Sequence, residues 1–198
     1  AHNMKKRKSI LVTSGSKRLG KKISKFFVMN DWDLILHYNK SKIHAEETAH
    51  ELSSYSNRIK LYNADFTDYN EVNNLIENLN TLEEEWIGLI NNAGFFKYDS
   101  GSDFSLEQLN NHMSVNFSVP SMLTQALYKN IMKNHIKKNK NNMVINIIDA
   151  KIYGLNPDYY SYTLSKLSMT GLTKLAALSY APNLRVNGIA PGIILPAE

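Results

Sequence analysis

Ile10-Leu11-Val12 runs directly into Thr13-Ser14-Gly15-Ser16-Lys17-Arg18-Leu19-Gly20, after which apolar residues recur with helical spacing. An apolar run, a tight glycine-bearing turn and a helix, in that order, aim backbone N–H groups and a helix N-terminus at one point, an arrangement that binds phosphate. Glycine favours any tight turn. Position gives this one its meaning, because it stands between the first strand and the first helix of the chain.

Outward from this turn, short apolar runs alternate with helix-period segments almost from end to end. Strands are expected over residues 9–14, 33–38, 59–63, 86–91, 143–148 and 184–190, and helices over 18–29, 41–54, 69–84, 106–137 and 159–180. Strict alternation calls for a parallel sheet with crossover helices on its faces. The expected fold is therefore α/β, a Rossmann-like doubly wound parallel sheet in a single domain with three α/β/α layers. No internal repeat or low-complexity linker divides the chain, and its most loop-like piece, the Asn- and Lys-rich 137–142, is short. Residues 1–4 read as an expression scar and start, and 5–198 as the domain.

At 198 residues and 43% hydrophobic content, the chain can bury one sizeable core. It has no cysteine, which excludes disulfides, thiolate metal sites and cysteine nucleophiles. That fits the cytoplasmic location expected here. No metal site is expected, and no apolar run is long enough to span a membrane. The net charge of +5 gathers at Lys5 to Lys8 and in Lys129, Lys133, Lys137, Lys138 and Lys140. A basic patch can attract nucleic acid. Here it lacks interleaved aromatics and lies near a helix end, where cations oppose the dipole, so it reads as solvated surface and no nucleic-acid partner is expected.

The second expected strand ends at His37-Tyr38-Asn39-Lys40-Ser41. An NAD-preferring protein of this fold presents a carboxylate there to the adenosine ribose. Here Lys40, Arg18 and Lys17 can instead surround a 2′-phosphate, with the Asn39 amide and Ser41 hydroxyl as donors. The expected cofactor is NADPH. Further on, Tyr162-Thr163-Leu164-Ser165-Lys166 places a phenol and an ammonium four residues apart, on one face of a helix. A cation beside the phenol is expected to lower its pKa toward a value useful for proton transfer.

These segments together resemble the short-chain dehydrogenase/reductase family, from residue 9 to residue 192. The 13–20 turn looks like the family's TGxxxGxG, with Ser14 at the first glycine position and Arg18 at the second. Asn91-Asn92-Ala93-Gly94 resembles its NNAG segment, Tyr162 and Lys166 its YxxxK pair, and residues 185–192 its RVNxxxPG segment. Within the family, the Lys-Arg-Leu-Gly ending, the His-Tyr-x-Lys-Ser stretch and Asp149 in place of a catalytic serine are similar to pteridine reductases and dihydromonapterin reductases.

The resemblance implies an NADPH-dependent oxidoreductase acting on a pterin-type substrate, with Tyr162, Lys166, Asp149 and Asn116 as its catalytic set. It implies a cofactor held by Ser14, Gly15, Lys17, Arg18, Leu19, Gly20, Asn39, Lys40, Ser41, Asp65, Asn92, Ala93, Gly94, Pro191 and Gly192 with Tyr162 and Lys166. Phe96, with Phe95 beside it, falls where a ring would sandwich the pterin. Alternatives stand beside several of these roles: a loop cap for Asp149, a helix cap for Asp65, a buried polar residue for Asn116, lid or core packing for the phenylalanines. Two other functions are open, a broad carbonyl reductase and an NADPH-binding sensor of weak catalysis, the latter suggested by Ser14. Family members are commonly homotetramers or homodimers joined through the helices matching 106–137 and 159–180. They also continue beyond Pro191-Gly192, so the C-terminal part of the domain is expected to be incomplete in this chain.

Overall fold

Ile10, Leu11 and Val12 are fully buried, and their side chains alternate between the two faces of a sheet. The computed structural model, which describes residues 6–55 and 58–192, places them in β1 (Lys8–Val12), at the centre of that sheet. There follow α1 (Arg18–Met29), β2 (Asp33–Tyr38), α2 (Lys42–Leu52), β3 (Ile59–Asn63), α3 (Tyr69–Asn80) and β4 (Glu85–Asn91). The second half adds α4 (Leu106–Met113), α5 (Val119–Lys133), β5 (Met143–Ile147), α6 (Tyr160–Tyr180) and β6 (Arg185–Ile189). The six strands are all parallel, in the order β3-β2-β1-β4-β5-β6.

Two apolar clusters complete the three layers. Ile10, Val12, Leu34 and Leu36 meet Phe27 and Val28 of α1 and Ala45 and Leu52 of α2 on one face. Leu11, Ile35 and Leu89 meet Val72 and Leu75 of α3, Leu123 and Leu127 of α5 and Ala176 of α6 on the other. The strand order reverses direction between β1 and β4, so their carboxyl ends open a crevice at that point, where ligands of such sheets bind.

Element ends depart from the sequence reading in places with local causes. Thr13 and Ser14 leave β1 for the turn. The helix expected over 106–137 is α4 and α5 joined by a wider π-type turn, Ser114–Ser118. Pro120 cannot donate to a carbonyl four residues back, and its ring crowds that carbonyl, which is Asn116's own. This helix stops at Lys133 rather than 137, because His135 takes a left-handed φ of 50°. Its N–H then reaches Met132 O and the Ile136 N–H reaches Ile131 O, a paired helix stop usually built on glycine. α3 likewise ends at Asn80 rather than 84 and starts on Asp68, whose carboxylate accepts from Asn70 N. Residues 1–4, read as scar and start, and 193–198, at the end, lie outside the described residues.

Candidate active site

Where β1 and β4 part, Thr13 stitches them together. Its hydroxyl donates to Ile90 O at 3.3 Å and accepts from Asn92 N at 2.9 Å and Ala93 N at 2.8 Å. The Asn92 amide returns the tie by donating to Thr13 O and Ser14 O. The NNAG segment thus holds the 13–20 turn in place, and Thr13, absent from the residues singled out in the sequence, is the hub.

The glycines of that turn are required by closeness. A Cβ on Gly20 would lie 2.1 Å from Ser14 O, and one on Gly15 would lie 2.9 Å from Val12 O. The left-handed positions are instead Ser14, at φ 50°, and Arg18, at φ 44°, where the motif it resembles has glycine. α1 begins at Arg18 with no side chain capping it and no acidic residue in its first turn, so its N-terminal donors and positive dipole end face the crevice uncompensated.

Two clefts flank this helix start. The smaller, about 390 Å³, is lined by Lys17, Asn39, Lys40 and Asp65, among others. The larger, about 880 Å³, is lined by Arg18, Leu19, Asn92, Asp149, Tyr162 and Lys166, with Phe96, Pro191 and Gly192 also on its wall. Gly94 and Phe95 line both. Arg18 thus lines the larger cleft, and Lys17 and Lys40 the smaller. Ser41 precedes α2 without capping it through its side chain and lines neither cleft. Asp65 accepts from Thr67 N at 2.9 Å and Thr67 Oγ1 at 2.7 Å, and these hydrogen bonds hold its carboxyl below the usual range. The helix-capping role belongs to Asp68.

In the larger cleft the Tyr162 hydroxyl donates to Asp149 Oδ2 at 2.7 Å, while Asp149 Oδ1 accepts from Lys151 N at 2.8 Å. Asp149 therefore caps the short 3₁₀ turn Ala150–Tyr153 and holds Tyr162 at once. Lys166 Nζ donates to Ile147 O at 3.1 Å and lies 5.8 Å from the Tyr162 ring centre. Burial, and then the hydrogen bond to Asp149 and its charge, raise the Tyr162 phenol far above its usual range. The shift therefore runs opposite to the lowering expected from Lys166, because burial disfavours the phenolate and the Asp149 carboxylate adds to it. Burial pulls Lys166 down to about 8, against the opposing charge of Asp149.

Asn116 is fully buried in the π-type turn. Its Oδ1 accepts from Phe95 N at 2.9 Å, and its Nδ2 donates to Phe95 O at 2.9 Å and Ser165 Oγ at 3.0 Å. It joins the loop after β4 to α6. Phe95 packs half-buried against His112 and the core. Phe96 is 57% exposed, stacks face to face on Tyr159 at 4.3 Å and meets Tyr162 edge-on at 4.7 Å.

A buried set the sequence reading missed braces the same wall. The Ser161 hydroxyl donates to Asp99 Oδ2, Ser161 N donates to Asp99 Oδ1 at 2.8 Å, and Tyr160 N donates to Asp99 O. His112 Nε2 accepts from Lys97 N, so its Nδ1–H donates to Ser161 Oγ at 2.6 Å. Serine, histidine and aspartate meet here, but the serine proton goes to the carboxylate and all three are buried, which leaves no nucleophile. Asp99 instead caps α6 from 62 residues away, just before Tyr162. Nothing in the polar loop 97–103 distinguishes this aspartate in the sequence.

The fold and this crevice define a dinucleotide-binding α/β protein, and the chain belongs to the short chain dehydrogenase family, which matches residues 8–197. It is an oxidoreductase of that family, whose members use nicotinamide cofactors. Among curated relatives it is 28% identical over 188 residues to oxidoreductase UcpA of Salmonella typhimurium, covering 94% of this chain and 69% of that protein. It is also 28% identical over 193 residues to glucose 1-dehydrogenase 2 of Bacillus subtilis, covering 94% and 72%. Among solved structures, FolM alternative dihydrofolate reductase 1 of Brucella canis, complexed with NADP, superposes with a TM-score of 0.86 at 29% identity. That match covers 97% of this chain and 74% of the FolM chain. Among the described residues no helix is long and apolar enough to cross a membrane, and no group of side chains is set to hold a metal ion.

Proposed function

We propose that the protein is an NADPH-dependent reductase of pterin-type substrates, the class that includes dihydropteridines, dihydromonapterin and dihydrofolate. The observation that carries the reading is the 2.7 Å bond from Tyr162 to Asp149, a carboxylate where most relatives of this kind place a serine. The similarity to a FolM dihydrofolate reductase supports it.

The residues present fit the cofactor. The uncapped start of α1 suits the pyrophosphate, with the backbone of Ser14 to Gly20 around it. Lys17 and Lys40, with Asn39 and no carboxylate at the end of β2, suit a 2′-phosphate beside Asp65. Ala93, Gly94, Pro191 and Gly192 would let the nicotinamide end come close to backbone, and Lys166 would hold its ribose. When bound, the reduced nicotinamide supplies the hydride.

The chain's own residues manage the proton. Tyr162 is a neutral phenol whose proton is held on Oη and shared with Asp149 Oδ2, ready for a substrate oxygen or ring nitrogen. Asp149 orients that proton, and Asn116 fixes the loop that carries the phenylalanine wall. Phe96 offers a flat ring for the pterin.

A carbonyl reductase of broad range is the second reading, favoured by Tyr159 already covering one face of Phe96. Self-association through α5 and α6 belongs to the proposal and is supported by the exposure of Leu175 and Leu178 on α6. The test is NADPH oxidation with dihydrobiopterin, dihydromonapterin, dihydrofolate and a diketone, repeated with NADH. Turnover of a pterin with NADPH alone is the expected result; turnover of the diketone alone would overturn the pterin reading and leave the family assignment intact.

A further inference from the structure

We infer that His37 is a positioning residue for the phosphate turn, locking Ser14 into the left-handed conformation that a glycine would adopt unaided. The inference rests on the cofactor reading above only for its binding readout. Ser14 has φ 50°, a region that a side chain disfavours and glycine does not. Such a conformation persists where the surroundings over-determine it, and here they do so on both sides of the residue.

On one side, Ser14 N donates to His37 Nδ1 at 3.0 Å, and the next amide, Gly15 N, donates to the His37 carbonyl at 3.1 Å. On the other, Ser14 O lies against Gly20, where a Cβ would come within 2.1 Å, and accepts from Asn92 Nδ2. The imidazole is itself held. It is fully buried, stacks on Phe66 at 4.1 Å with a 15° interplanar angle, and reaches Ala64 O through Nε2 at 2.8 Å.

The tautomer follows from the partners. Nδ1 must accept, because Ser14 N can only donate, so Nε2 carries the proton and donates to Ala64 O. Burial pulls the pKa of His37 down to about 4, so the ring stays neutral in this role near neutral pH. The lock spans β1, β2 and β3 at their carboxyl ends, beside Lys17, Asn39 and Lys40 in the smaller cleft. A serine at the first glycine position is thus compensated by a histidine at the end of the neighbouring strand.

The experiment combines NMR with binding. In the wild-type protein, long-range 15N–1H spectra are expected to show His37 as the Nε2–H tautomer, with a 15N–15N coupling across the bond from the Ser14 amide. A protonated Nδ1 would overturn the inference whatever the cofactor is. His37→Phe keeps a ring on Phe66 and removes both nitrogens, and NADPH titration followed by fluorescence is expected to weaken about tenfold, the scale of one buried hydrogen bond.

Adding Ser14→Gly to His37→Phe is expected to restore NADPH affinity to within about threefold of wild type while Tm stays below that of wild type, since glycine needs no lock but the buried hydrogen bonds of the ring are still missing. Adding Ser14→Ala is expected to restore nothing, because the Cβ remains. Equal affinities for the two double variants would overturn the lock. If His37→Phe alone does not fold, recovery of folded, NADPH-binding protein with Ser14→Gly but not with Ser14→Ala supports it, and recovery with neither overturns it. A wild-type protein that shows the tautomer and coupling but does not bind NADPH would sink the cofactor reading and leave the lock standing.

Discussion

Tyr162 Oη and Asp149 Oδ2 stand 2.7 Å apart with the phenol as donor, and the other oxygen of the same carboxylate is occupied by the Lys151 amide. The carboxylate is therefore an oriented acceptor, and the proton rests on the tyrosine. Tyr162→Phe is expected to cut turnover of a ketone by about 100-fold or more while leaving NADPH affinity within about twofold. For a pterin, steady-state rates of Tyr162→Phe and Asp149→Asn separate the donors. Survival of activity in the first and loss in the second assigns the proton to the carboxyl, and the opposite pattern assigns it to Tyr162.

Lys17 and Lys40 are the cations of the smaller cleft. Lys40→Ala is expected to raise the Kd for NADPH by about tenfold and leave that for NADH unchanged, because only the former carries the extra phosphate. Isothermal titration with both cofactors checks this, and an equal loss for both would remove the lysine from the 2′-phosphate site.

Asp99 caps α6 just ahead of Tyr162. Asp99→Ala is expected to cost about 1–2 kcal/mol of stability, the usual value of a lost helix cap. It is also expected to lower kcat more than it weakens NADPH binding, since the smaller cleft does not involve α6. Urea unfolding together with kcat measured per folded enzyme checks both, and an unchanged kcat would make the cap purely structural.

His37 has a folded-state pKa near 4 against an ordinary 6.5. Between those values the unfolded chain takes up a proton that the folded protein refuses, so this residue's contribution falls as pH drops from 6.5 to 4, by roughly 3 kcal/mol in all. Below 4 the loss is complete. The urea midpoint of wild type is expected to fall more steeply across this window than that of His37→Phe, and parallel curves would contradict the assignment.

Gly20 leaves no space for a methyl group against the Ser14 carbonyl. Gly20→Ala is expected to lower Tm by roughly 2–8 °C, as overpacking of about 1–3 kcal/mol would. It should also weaken NADPH binding, because the carbonyl that must move belongs to the phosphate turn. Unchanged thermal scans and titrations would show that the turn accommodates the methyl elsewhere.

Features that depend on neighbours along the chain can be read without coordinates. The alternation of apolar strand runs with helix-period segments specifies a parallel α/β sheet, because each element's periodicity is local. The four-residue offset places Tyr162 and Lys166 on one helix face, and the absence of a carboxylate at 37–41 is visible without any coordinates. Helix ends were less legible where an unusual residue does a usual job, as His135 does in stopping α5. Relations between residues far apart in the chain came from the folded arrangement. It joined His37 to Ser14 across 23 positions and Asp99 to Ser161 across 62, and it gave the Tyr162 proton Asp149 as its partner in place of a lysine-induced phenolate. Each depends on which strand ends and loops the sheet order brings together, and on burial at the meeting point; no pattern within one segment encodes either.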